Sequence, residues 1–411
     1  MSSTPPSSTP LATAPKTHPL LLAASLLLMA FNLRPVFGSL SVVLPEIMRD
    51  TGLSATGASF LTTLPIICLG LFAAPSPALA RRFGVERTLL GAMFLICVGT
   101  LLRAWVSLPL LFASSVLAGA GIAIGNVLLL GLIKRDFPAR SAMMTGLYTL
   151  AICFGAAIST AFTVPLEQHL FNGAWAHALA FWALPAGVVM LLWAPLALST
   201  PHTVIAAAIL DTSGKAPRMG SLGRDRLAWQ VTLFMGSQSS MAYIVMGWLA
   251  PILRERGLES AAAGYVVATA IVTQLVTSLV TPSIAARCKD QRALAVGVAA
   301  VVSVSLLALI FAPLGGRWFW AILLGCGLGS GFALALSLIV MRSANAHVTA
   351  QLSAMAQGWG YALAAFGPLL VGLLRGWTGG FESSAALIVV VAALMGWSGW
   401  GAGRKMLVQA G

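Results

Sequence analysis

The sequence predicts an all-α membrane protein with twelve transmembrane helices in two pseudo-symmetric six-helix bundles. Three observations lead there. The chain is 58% hydrophobic and only 9% charged, whereas soluble domains are about 25% charged. Its apolar stretches recur at the length of about 20 residues that a helix needs to cross a bilayer core. Two segments of the first half also return in the second at nearly one spacing.

Twelve apolar runs lie between polar breaks: residues 20–45, 58–80, 88–107, 109–133, 142–166, 176–198, 228–252, 260–286, 293–313, 317–341, 350–374 and 381–401. Six precede and six follow segment 199–227, the longest connection, which carries Pro201, Asp211, Gly214, Lys215 and Pro217. An amphipathic helix lying on the membrane surface fits within it. The expected organisation is a disordered tail over 1–19, a bundle over 20–198, an inter-bundle loop over 199–227, a second bundle over 228–401 and a tail over 402–411. The tail over 1–19 is rich in Ser, Thr and Pro and shows no signal-peptide cleavage pattern.

The repeats support two copies of one design. Pro77 to Arg87 aligns with Pro282 to Arg292 at an offset of 205, just after the second span of each half. Gly119 to Ile133 aligns with Gly325 to Ile339 at an offset of 206, identical at 7 of 15 positions, and Gly-x-Gly-x-x-x-Gly opens both copies. Glycines at such spacing let helices pack closely.

The net charge of +13 is a matter of orientation. With the chain starting inside, 17 Lys and Arg residues fall on the inner side and 6 on the outer, leaving Arg34 alone within a span. Positive residues collect on the cytoplasmic side of membrane proteins. Both termini are therefore expected in the cytoplasm, with lipid and not nucleic acid as the large partner. The five cysteines show no metal-ligand spacing, so neither metal nor other cofactor is expected.

Arg34 stands out in the run Ala30-Phe31-Asn32-Leu33-Arg34-Pro35, near the middle of the first span. Its guanidinium stays charged at any ordinary pH. A charge at the centre of a bilayer costs roughly 2.5–3.5 kcal/mol even on the lenient insertion scale. Pro35 also removes a helix hydrogen bond, leaving the Phe31 carbonyl without its donor. A cation at a helix break normally faces an internal cavity, which makes Arg34 the leading candidate ligand. The plainer role for it is bonding to the carbonyls freed by Pro35.

Several segments resemble the cyanate and 2-nitroimidazole transporters (the CynX/NimT type) of the major facilitator superfamily. They are Asn32-Leu-Arg-Pro35, Ala80-Arg-Arg-Phe-Gly84 with Glu86-Arg87, Gly236-Ser-Gln-Ser-Ser240 through Tyr243, Trp248-Leu-Ala-Pro251, and Met355-Ala-Gln-Gly-Trp-Gly-Tyr361 through Gly367-Pro368. The resemblance implies the major facilitator fold, a bacterial cytoplasmic (inner) membrane setting, a monomer, and small polar or anionic substrates. The loop after the second span departs from the superfamily pattern Gly-x-x-x-Asp-Arg-x-Gly-Arg-Lys, with Pro77 in place of Gly and Arg81 in place of Asp. Glu86 is the nearest carboxylate able to stand in, and Arg81, Arg82 and Arg87 read as anchors of the inner loop or parts of a gate.

No span carries an acidic partner for Arg34. All eleven Asp and Glu residues fall in expected loops or at span ends, and no histidine is central. Proton-coupled carriers usually keep such a group buried. The counter-ion of Arg34 is then the substrate: an anion, or a dipolar molecule offering oxygens to the guanidinium fork. Gln238, Tyr243, Gln357, Tyr361, Gln274, Asn32 and the wall residue Trp359 are the candidates to complete the site, with Tyr148 and Asn126 behind them. Gln357 and Tyr361 share a helix face, while Gln238 and Tyr243 lie about 140° apart and share one only if the helix is distorted. Small polar side chains also commonly bond across helices without binding anything. The expected function is secondary transport of a small anionic or strongly polar solute by alternating access. Efflux of neutral drugs is the alternative, and a membrane sensor or membrane-embedded enzyme is more remote, since no catalytic constellation of His, Asp, Glu or Cys lies within the spans.

Overall fold

The computed structural model describes residues 19–53, 55–199 and 222–408, and every regular element among them is helical. Most of the inter-bundle segment, including any amphipathic helix in it, and most of the first tail lie outside the described residues.

The first span is two helices, Pro19–Asn32 and Pro35–Val42, followed by a short helix Leu44–Thr51. The second, Ala55–Ala73 with Ser76–Phe83, bends by 56° where Pro75 interrupts it. Val85–Leu101, Leu108–Asp136 and Ser141–Pro165 form the third to fifth, and Trp175–Phe181 with Ala183–Ser199 the sixth. The second bundle runs Arg226–Glu255, Ser260–Arg287, Arg292–Phe311, Arg317–Met341, Ala346–Thr378 and Ser384–Ala402. By length and hydropathy ten segments can cross a membrane, and the bent second span makes an eleventh. The seventh falls outside that set because Gln230 and Gly236–Ser240 make its middle polar. Its 30 residues still reach about 45 Å at a rise of 1.5 Å per residue.

Burial separates an inner ring from a lipid-facing one. The fourth and tenth spans are 89% and 72% buried over their apolar windows, against 22% for the eighth. Glycine explains how the inner helices approach their neighbours. A Cβ on Gly121 would lie 2.9 Å from Ile96 of the third span, and one on Gly327 would lie 2.6 Å from Val302 of the ninth. Ile96 and Val302 are themselves 206 residues apart, so both halves repeat one contact. Gly119 against Pro65 and Gly325 against Ala270 make a second such pair, the partners being 205 apart.

At the ends of the bundles where the described chain begins and finishes, here the tail side, the halves differ in chemistry. Glu86 opens the third span and pairs with Arg135 at the end of the fourth, 2.8 Å away. Gln291 occupies the place of Glu86 at the 205 offset and accepts a hydrogen bond from Arg342 after the tenth span. Arg342 also donates to the Ala402 carbonyl at 2.8 Å and the Gly403 carbonyl at 3.2 Å, while its own carbonyl accepts from the Val408 amide. The segment following the twelfth span is thus fastened beneath the second bundle.

Gly121→Ala sets a methyl group 2.5 Å from the Ala92 carbonyl. Overpacking of that kind costs about 1–3 kcal/mol. A melting curve in detergent should show Gly121→Ala clearly destabilised. Gly91→Ala, where nothing lies within 4 Å, should melt no lower than wild type.

Candidate functional site

Arg34 caps the second piece of the broken first span, with φ −124° and ψ −21°. Pro35 cannot donate, so the Phe31 carbonyl leaves the helix ladder and turns toward the fifth span. Gly155 sits there, and a Cβ on it would overlap that carbonyl. The break and the glycine therefore belong together: backbone approaches backbone at the point where the helix stops.

The guanidinium faces inward, between the halves. The hydroxyls of Tyr243 on the seventh span and Tyr361 on the eleventh lie close enough to interact with it as polar partners. The two tyrosine rings lie 6.5 Å apart. Phe37 of the first span and Phe332 of the tenth present their rings to it at 5.5 and 5.8 Å, within cation–π range. Cys153 of the fifth span is close enough to interact electrostatically. Arg34 takes part in none of the ion pairs among the described residues. A half-buried cation is thus held by ring faces, neutral hydroxyls and a thiol from five spans, with no carboxylate among the described residues to compensate its charge.

A second polar layer lies beside it. Tyr148, within electrostatic range of Arg34 and Tyr361, donates to Asn126 Oδ1 at 3.2 Å. Gln357 donates across the two halves to the Asn126 backbone carbonyl at 3.3 Å and to Ser353 Oγ at 2.7 Å. Gln274 reaches the cluster through Cys153, which it contacts together with Ser278. Arg34, Tyr243, Tyr361, Gln357 and Gln274 are therefore brought together, with Tyr148 and Asn126.

Three candidates stand elsewhere, each for a helical reason. Trp359 is 63% exposed and packs against Trp229 at 6.3 Å. It is two residues from Gln357, about 200° around the helix, so it faces outward and forms no wall of the site. Gln238 bonds to Ser239 Oγ at 2.7 Å and packs near Gly331. The seventh helix is undistorted there, and the 140° between Gln238 and Tyr243 sends only Tyr243 to Arg34. Asn32 donates to the Leu28 carbonyl of its own helix at 2.8 Å. It borders an apolar crevice of about 600 Å³ with Phe31, Phe154 and Leu184, away from Arg34.

Sequence reasoning passed over Phe37, Phe332 and Cys153, whose residue types carry no charge or motif. One signal existed: Phe332 is the repeat partner of Asn126 at the offset of 206, so both positions face the middle. On the tail side Glu86 engages Arg135, and Arg87 donates to the Ala197 carbonyl at 3.3 Å. Arg81 and Arg82 are exposed, Arg81 lying near His347 of the eleventh span. One hydrogen bond that crosses the halves there comes from Lys134, which donates to the Val340 carbonyl at 3.3 Å. Val340 is its repeat partner, so the bond spans the pseudo-two-fold axis. Asp50, at the opposite end, is held below the usual carboxylate range by Arg49 and by the Trp175 indole at 2.9 Å.

Residues 20–368 match the model of the Major Facilitator Superfamily. The chain is 37% identical over 390 residues to the 2-nitroimidazole transporter of Escherichia coli (strain K12), covering 95% of this chain and 97% of that protein. It is 36% identical over 393 residues to the uncharacterized transporter YycB of Bacillus subtilis (strain 168), covering 94% of each. The cyanate transport protein CynX of Escherichia coli (strain K12) is 29% identical over 362 residues, covering 87% of this chain and 90% of that one. Among solved structures, the transporter FucP in its outward conformation superposes with a TM-score of 0.73 at 13% identity, covering 94% of this chain and 99% of that one.

Removing one phenol hydroxyl from the guanidinium should be felt while changes on the outer face should not. Tyr361→Phe is expected to weaken ligand binding by about 3–10-fold, the value of one hydrogen bond. Trp359→Ala should bind as wild type does. Titration of the purified variants by thermal shift checks both.

Proposed function

The chain belongs to the major facilitator superfamily, and from that premise we propose that it carries a small anionic or strongly polar solute across the bacterial cytoplasmic membrane. The observation that carries this reading is the Arg34 guanidinium, set between the halves with no carboxylate partner among the described residues. A cation so placed is compensated when cargo arrives, through charge-assisted hydrogen bonds to its planar fork. Tyr243 and Tyr361 orient the fork from the second bundle, and Phe37 and Phe332 bound the space beside it. Ring faces on this scale favour a planar cargo, such as a nitro-heterocycle or a short linear anion. The names of the Escherichia coli relatives, a nitroimidazole transporter and a cyanate transport protein, are consistent with that chemistry.

Movement follows from the same electrostatics. The tail-side contacts of Lys134 with Val340, Gly131 with Ala346 and Gly146 with Leu279 hold one end of the interface shut. A bound anion lowers the cost of enclosing Arg34 on both sides, so the loaded protein passes through an occluded state more readily than the empty one. The two bundles then rock about the site, releasing the Lys134 contact as the tail side opens. With positive residues gathered on that side, both termini face the cytoplasm.

Arg34→Ala should lower affinity for a transported anion by about a hundredfold and abolish accumulation in proteoliposomes. Arg34→Lys should recover only part of the loss, because a point charge replaces the fork. Full transport by Arg34→Ala would overturn the reading.

A further inference from the structure

Asn126 is 3% exposed at the centre of the fourth span. Its Oδ1 accepts from Tyr148 and its backbone carbonyl accepts from Gln357. Its Nδ2 has no partner among the described residues and is a buried donor left unused. Such a group costs about 1–3 kcal/mol while it stays unpaired. Native structures contain few of these, and each calls for a reason.

Its position supplies one. The preceding residue, Gly125, packs against Leu33, the neighbour of Arg34. Tyr148 ties Asn126 electrostatically to Arg34 and Tyr361. Phe332, its repeat partner in the other half, lies against the guanidinium itself. The unused donor therefore sits in the polar cluster, in the first bundle, while Tyr243 and Tyr361 approach Arg34 from the second.

We propose that Asn126 Nδ2 is a second substrate donor, and that the cargo bears hydrogen-bond acceptors at two separate positions. One acceptor group meets the Arg34 fork and the other meets Asn126. This rests on Arg34 as the primary ligand and adds a selectivity that Arg34 alone does not provide. A site built to donate to a second acceptor discriminates against an analogue that lacks it, because the donor then stays unpaired. Gln357 holds the Asn126 backbone from the opposite bundle, so the donor is positioned by both halves at once.

Two probes of one shape make the test. 2-Nitroimidazole carries a nitro group and an acceptor ring nitrogen, whereas 2-nitropyrrole keeps the nitro group and lacks that nitrogen. Binding to the purified full-length protein is measured by titration calorimetry. Wild type should favour 2-nitroimidazole by about tenfold, the value of one satisfied hydrogen bond. Asn126→Leu, which keeps the branched four-atom side chain and has no donor, should bind both probes as weakly as wild type binds 2-nitropyrrole. Arg34→Ala should lose both probes. Equal affinity of wild type for the two probes, binding of neither, or a preference that survives in Asn126→Leu overturns the proposal. The wild-type comparison stands even where that variant fails to fold. Unchanged binding of both probes by Arg34→Ala instead overturns the primary role of Arg34, so the two failures are distinguishable.

Discussion

A guanidinium at mid-depth in a bilayer has to be solvated by something, and around Arg34 that something is neutral. Two phenol hydroxyls, two phenyl faces and a thiol surround it, and no carboxylate among the described residues pairs with it. Ring quadrupoles and hydroxyl dipoles soften the charge without cancelling it. The rest of the centre follows from that condition. The first span breaks at Leu33–Arg34, glycine clears the fifth span beside the Phe31 carbonyl, and five helices converge on one side chain.

Much of this was legible in the chain because bilayers impose strict rules. Backbone groups must be paired within a helix, so length and hydropathy marked the spans, and a lone Arg beside a Pro marked the break. The seventh span was found by continuity of pattern, although its polar Gly236–Ser240 stretch lowers its hydropathy. Helical periodicity decides which polar residue faces in, and this is where one-dimensional reading was weakest. Gln357 and Tyr361, four apart, arrive together, but Trp359 between them points outward. Asn32 satisfies itself on its own helix, an outcome no spacing reveals. Phe37 and Phe332 carry no chemical mark in the sequence, since their part is played by ring faces brought close by tertiary packing.

Internal duplication organises the molecule, and its defects are informative. The contacts of Gly121 with Ile96 and of Gly327 with Val302 repeat one helix packing in both halves. At the centre the copies diverge: Asn126 in one half answers Phe332 in the other, one polar and one aromatic. Near the axis Lys134 answers Val340, and the lysine bonds to its partner's carbonyl. The shared frame sets where side chains converge, while the differences between copies supply the chemistry.

The tail-side fastenings also bear on the order in which the protein can assemble. Glu86 and Arg135 both belong to the first bundle, so its clasp is complete as soon as four spans exist. In the second bundle glutamine replaces that glutamate, and Arg342 relies on the carbonyls of Ala402 and Gly403. Those atoms leave the ribosome only after the twelfth span. The first bundle can therefore settle early in synthesis, whereas the second stays unlatched until its final stretch has been made and folded back.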